Sequence, residues 1–160
     1  MQLQPITITD RDTWNATLAV LPYAHVLQTW EWGDFKAATT GWAPQRIAYM
    51  HKGQAAALAQ VLTRQLGPFR VMYVPKGPVL DYTDQDLRLS ALEQLKEHAR
   101  SRNAIFIKID PDVVVGVGIP GQPDAYNDPL GVQICDEWQA AGLRFSPDQI
   151  QFRNSIQIDL

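Results

Sequence analysis

The sequence predicts an α/β fold, a mixed sheet flanked by helices. Three observations carry this. Strand-like and helix-like stretches follow one another in the order β-α-α-β-β-β-α-β-α-β, which requires helices packed on a sheet. From Thr83 to Arg100, residues Leu87, Ala91, Leu92, Leu95 and Ala99 line one helical face. The stretch Tyr73 to Asp81, Tyr-Val-Pro-Lys-Gly-Pro-Val-Leu-Asp, starts as a strand and breaks at Pro75 and Gly77-Pro78. Proline cannot donate to a ladder, and glycine opens backbone angles that other residues avoid.

Taken in order, Ile6 to Thr9 alternates as a short strand. Thr9 or Asp10 can cap a helix carrying Trp14, Leu18 and Leu21, and Pro22 ends it. A second helix covers Trp30 to Thr39 and stops at Gly41, with Trp32, Phe35 and Trp42 expected to pack inward. Gln45 to Met50 and Ala55 to Arg64 form a hairpin across His51-Lys52-Gly53-Gln54. In the strand from Phe69 to Val74, Phe69, Val71 and Tyr73 share one face, and Met72 and Val74 the other. Thr83 caps the next helix, with Asp86 as its capping-box partner. Ala104 to Ile109 is almost wholly apolar, which suits a central strand buried on both faces. Pro111 to Asn127 reads as a long loop. Asp128-Pro129 opens a helix that Gly142 ends, and Ser155 to Leu160 alternates as a last strand.

The chain has 160 residues, enough for one domain with a real core. Its net charge of −3 advertises no nucleic-acid surface. A single cysteine, Cys135, excludes an internal disulfide and suits a cytosolic protein with a buried thiol. The start has neither the basic nor the apolar region of a signal peptide, and no apolar run reaches the length of a membrane span. His25, His51 and His98 show no zinc-ligand spacing, so no metal is expected.

Several residues have chemical potential. Lys76-Gly77, between two prolines at a strand end, sets a cation beside an exposed N–H and can hold an anion; the plainer reading is a rigid loop with a solvated lysine. Tyr73 beside it reads equally as half-buried core. Asp110 and Asp112 fall at the C-terminal end of a strand, where open α/β sheets place ligands. Asp110 can instead cap the Pro111 turn through its own side chain. Lys36, near the end of the second helix, suits the helix dipole as a surface lysine. Arg46 and Arg64 read as solvated strand arginines. Gly116-Val117-Gly118-Ile119-Pro120-Gly121 has the letters of a dinucleotide fingerprint, but no helix follows it, so it reads as loop.

Four blocks in this order carry a resemblance: Leu27-Gln28-Thr29-Trp30-Glu31-Trp32-Gly33-Asp34-Phe35-Lys36 with Gly41-Trp42, then the Tyr73–Asp81 stretch, then Ile107 to Val113, then Gln149 to Ser155. Together they resemble the Fem-type peptidoglycan aminoacyltransferases, and the element order is similar to the GNAT acyltransferase fold lacking its last strand. The resemblance implies transfer of an amino acid from aminoacyl-tRNA to the stem peptide of UDP-MurNAc-pentapeptide or a lipid-linked muropeptide. It implies no cofactor and no covalent intermediate. Lys36 is then a phosphate contact, with Trp32, Tyr73 and Lys76 in the acceptor site and Asp110 orienting the acceptor amine. Such enzymes carry two GNAT-like domains, and this chain corresponds to the first, residues 1–160, so a second domain, aminoacyl-tRNA and peripheral contact with the inner membrane face are the implied partners. A CoA- or carrier-dependent N-acyltransferase, or a non-catalytic half-domain docked to a partner, are the alternatives. The absence of a Gln or Arg three residues before Gly116 counts against CoA.

Overall fold

The computed structural model describes residues 1–148, 150 and 151. It divides into two compact units, Met1–Val113 and Val114–Leu160. The expected last strand, with Arg153 and Asn154 before it, lies outside the described residues.

The first unit opens with strand β1 (Gln4–Thr7) and helix α1 (Arg11–Val20), whose first turn is capped by Asp10 accepting from Thr13 N at 2.7 Å. A single 3-10 turn, Val26–Gln28, precedes α2 (Trp30–Thr40). Thr29 caps α2, and Gly41 ends it at φ +69°, a left-handed angle that glycine adopts without strain. Strands β2 (Ala43–His51) and β3 (Gln54–Leu66) form the expected hairpin through Lys52 and Gly53, both at positive φ. Strand β4 (Phe69–Pro75), the two-residue strand β5 (Val79–Leu80), helix α3 (Gln85–Ser101) and strand β6 (Ala104–Asp110) complete the unit.

The sheet runs β1-β2-β3-β4-β6, with β5 paired to β3. All its neighbours are antiparallel except β4 and β6, which run side by side in the same direction. Trp14 and Leu18 of α1 pack with Ala48, Leu58 and Val79 on the sheet. Helix α3, packed on β3 and β6, buries the predicted stripe Leu87, Ala91, Leu92, Leu95 and Ala99. Burying such a stripe is the main favourable term in docking a helix.

Three expectations are corrected. Strand β6 is not central: among the described residues it ends the sheet, and Ile105 and Phe106 are 59% and 52% exposed. The strands buried on both faces are β3, from Ala57 to Leu62, and β4, from Val71 to Pro75. An apolar run marks a strand, but not its rank in the sheet. Helix α3 is capped by Asp84, which accepts from Leu87 N at 2.9 Å, because Thr83 spends its hydroxyl on Asp81 Oδ1 at 2.6 Å. Phe35 does not pack inward and is 52% exposed.

In the second unit, β7 (Gly116–Val117) and β8 (Tyr126–Asn127) pair antiparallel within the stretch read as loop. Helix α4 (Pro129–Ala140) starts as predicted, with Asp128 accepting from Gly131 N at 3.0 Å and Pro129 in the first turn. Cys135 is free and half-buried, and burial raises its thiol pKa.

Candidate active site

The candidate site forms where the parallel strands β4 and β6 end, Pro75 standing opposite Asp110. Asp110 does not cap its own turn. Its carboxylate reaches across to the other strand, where Oδ2 accepts from the Tyr73 hydroxyl at 2.7 Å and Oδ1 from the Lys76 backbone N–H at 2.7 Å. Lys76 adopts φ +48°, left-handed backbone that is uncommon for a residue with a side chain. Its ammonium pairs with Asp112 at 2.9 Å. Tyr73 is buried, 4% exposed, and its hydroxyl acts on Asp110 itself.

Burial is the largest influence on Asp110 and raises its pKa; the Tyr73 and Lys76 hydrogen bonds and the nearby Lys76 and Lys108 charges pull the other way. The result is a carboxylate more basic than an exposed one, with two fixed donors and lone pairs left for an incoming group. His25 lies within electrostatic reach of Asp112, Lys76 and Asp110. Its Nδ1 accepts from Leu27 N at 3.1 Å, capping the 3-10 turn, and burial lowers its pKa.

Lys36 and Trp32 form a separate group on α2. The Lys36 ammonium sits 5.7 Å from the Trp32 ring centroid, and the Trp32 ring lies 5.5 Å from that of Phe35. Trp32 Nε1 is buried with no hydrogen-bond partner among the described residues. Trp42 lies near both groups: its ring is 6.4 Å from that of Tyr73, and its backbone N–H donates to the Lys36 backbone carbonyl at 3.4 Å. Tyr73, Lys76 and Asp110 thus come together, while Lys76 spends its charge on Asp112 rather than standing ready beside Lys36.

Beneath the site lies a buried polar network. Arg46, expected on a solvated face, is 7% exposed. Its guanidinium donates to Gln60 Oε1 at 3.1 Å, the Trp30 carbonyl at 2.8 Å and Asp34 at 2.7 Å, and stacks 3.4 Å from the Trp30 ring centroid. Gly33 makes room for this: a Cβ there would collide with Gln60 Oε1 and lie 2.8 Å from an Arg46 nitrogen.

The model of the FemAB family matches residues 7–160. The chain belongs to the FemAB family. It is 34% identical over 119 residues to a lipid II:glycine glycyltransferase of Staphylococcus haemolyticus, covering 73% of this chain and 28% of that protein. It is 35% identical over 99 residues to the Staphylococcus aureus protein of the same name, covering 61% of this chain and 23% of the relative. The chain therefore spans about a quarter of the length of these relatives. The solved structure of FemX superposes with a TM-score of 0.67 at 28% identity, over 84% of this chain and 31% of FemX. An aminoglycoside acetyltransferase from a soil metagenome, at 13% identity and a TM-score of 0.55, covers 97% of this chain and all of its own. That likeness is one of fold, and it agrees with the GNAT-like sheet expected from the element order.

Within this FemAB chain, sequence reading missed Gln28, His25, Trp42 and the Arg46–Gln60 pair as parts of the site and its support. One signal was available. A glycine inside a helix costs about 1 kcal/mol relative to alanine, so Gly33 in α2 marks a close approach by something. Nothing local to Gln28 or Gln60 announces their pairing, which joins residues far apart in the chain.

Proposed function

We propose that this chain is the acceptor-binding, GNAT-like domain of an aminoacyltransferase of peptidoglycan bridge synthesis. Family membership makes the reaction class the expected one, and the relatives are named for glycine transfer to lipid II. The observation that carries the local reading is the Tyr73–Asp110–Lys76 arrangement at the ends of the parallel strands.

The reaction is aminolysis of an ester. The acceptor amine attacks the aminoacyl carbonyl, an amide bond forms, and the ester C–O bond breaks. The tRNA hydroxyl leaves with a proton derived from the amine. Asp110 orients that amine by accepting its N–H groups, and burial makes it a better proton acceptor than an exposed carboxylate. Lys36 on α2 supplies a point charge for acceptor phosphate, and Trp32 and Trp42 offer flat apolar walls. Aminoacyl-tRNA is the donor and is held mostly by a second GNAT-like domain; the acceptor is UDP-MurNAc-pentapeptide or its lipid-linked form. The work is placed at the cytoplasmic face of the membrane. No helix among the described residues is long and apolar enough to cross it.

Calorimetric titration with UDP-MurNAc-pentapeptide tests the reading. Binding by the wild type, weakened in Lys36→Ala by more than the ~1 kcal/mol of a solvated charge, is the expected result. A folded chain that binds equally well without Lys36, or that binds no muropeptide even when joined to a second domain, would overturn it.

A further inference from the structure

Gln28 fills a break in the sheet. Strand β3 pairs with β4 as far as Leu62 opposite Tyr73, and with β5 from Leu58 opposite Val79. Gln60 lies between these stretches, and its backbone N–H donates to Gln28 Oε1 at 2.7 Å. On the other side of the break, Gln28 Nε2 donates to the Pro75 carbonyl at 2.5 Å. The side-chain amide thus does the work of a peptide group, accepting from one strand and donating to the next.

The Pro75 carbonyl and the Lys76 N–H belong to one planar peptide unit. Its two polar ends point in opposite directions, so fixing one orients the other. Gln28 holds the carbonyl end, and the N–H end meets Asp110 Oδ1 at 2.7 Å. Gln28 is itself fully buried and held. Its backbone carbonyl accepts from Trp14 Nε1 at 2.8 Å, and Gln60 Nε2 donates to the flanking Leu27 and Thr29 backbone carbonyls at 3.3 Å and 3.0 Å. Gly77 closes over it: a Cβ there would lie 2.8 Å from Gln28 Nε2.

We propose that Gln28 is a positioning residue for the Asp110 site. By clamping the Pro75–Lys76 peptide, it aims the Lys76 N–H at Asp110 and so fixes the carboxylate that receives the acceptor amine. That last role rests on the acceptor-binding reading; the clamp does not.

NMR of the whole chain tests it by following the Asp110 side-chain carboxyl carbon and the Lys76 amide proton through a pH titration. Gln28→Met removes the amide while keeping an apolar body of similar length. Gly77→Ala keeps every hydrogen-bonding group and presses on the same amide from the other side, at a residue whose φ is not left-handed. Both variants are expected to raise the Asp110 midpoint, because the ionised form loses a donor, and to move the Lys76 amide proton upfield. The Leu87 amide at the Asp84 cap should stay where it is. A folded variant with the wild-type Asp110 midpoint and Lys76 shift would overturn the proposal. If Gln28→Met does not fold, Gly77→Ala decides by the same criterion. Failure of the wild type to bind muropeptide would sink the acceptor reading and leave this outcome standing.

Discussion

Tyr73 and Asp110 lie on the two parallel strands and meet through a 2.7 Å hydrogen bond from phenol to Oδ2. The pair is set by register: Tyr73 stands opposite Lys108, two residues before Asp110, so its long side chain leans along the strand to reach the carboxylate. Strand and loop therefore each contribute one donor to the same acid, from Tyr73 and from Lys76.

Tyr73→Phe removes one of those donors and little else. The variant should lose roughly 1.5–3 kcal/mol of stability at neutral pH, as for a hydrogen bond to a charged group. Burial already raises the Asp110 pKa from its ordinary value. A raised folded pKa favours the folded state fully at acid pH and loses that contribution as pH rises through it. Loss of the phenol raises it further, so the cost of the substitution should be greater at pH 7 than at pH 4. Urea unfolding at the two pH values reads this directly, and equal losses at both would separate Tyr73 from the Asp110 charge.

Arg46 should not tolerate lysine. Its guanidinium serves Gln60, Trp30 and Asp34 at once and stacks on the Trp30 ring. A single ammonium cannot reproduce that planar fork. Arg46→Lys and Arg46→Met should both destabilise the first unit by about 2 kcal/mol, from acceptors left buried without a donor. Asp34 is largely exposed, so its share of the loss should be small, and Asp34→Asn should be nearly neutral in thermal melts. A lysine variant as stable as wild type would show that charge alone is needed here.

These residues also show what could be read from sequence. Helix α3 was legible because its stripe repeats at helical spacing, and α4 because Asp128-Pro129 is an unambiguous start. The Pro-Lys-Gly-Pro break was legible because proline and glycine act locally. The rank of β6 was not: Ala104 to Ile109 is apolar enough for a central strand, and only the pairing of distant segments puts it at the end of the described sheet. Arg46 was misplaced for a similar reason. Nothing in its strand marks it as buried, and it is α2, packed on β2, that covers it. Asp110 and Asp112 were found from their place at a strand end, but their partners on the Tyr73–Lys76 segment needed the fold.

Gly33→Ala tests the packing of α2 over that network. In a solvated helix the change would stabilise by up to about 1 kcal/mol. Here the new methyl would collide with Gln60 Oε1 and press on Arg46. Both groups are buried and already bonded, so they have little room to yield. A net loss of about 1–3 kcal/mol is expected, as for overpacking, with a lowered melting temperature. A gain would mean that Gln60 can swing away at little cost.

Acid should weaken this protein before its ordinary carboxylates titrate. His25 and His98 both have lowered pKa values, in each case chiefly through burial, and Arg102 adds to the effect at His98. In the unfolded chain both sit near ~6.5. As pH falls below that value the unfolded chain takes up protons first, so stability is full above about 6.5 and is lost as pH falls through the lower folded values. Asp110, raised, acts in the opposite sense. His25→Asn keeps a side-chain acceptor for the Leu27 N–H while removing the titration. His98→Leu removes a ring whose Nε2 is buried without a partner among the described residues. Each should flatten the slope of urea midpoint against pH between 5 and 7 while changing the value at pH 7.5 far less. An unchanged slope in the double variant would place the acid sensitivity elsewhere in the chain.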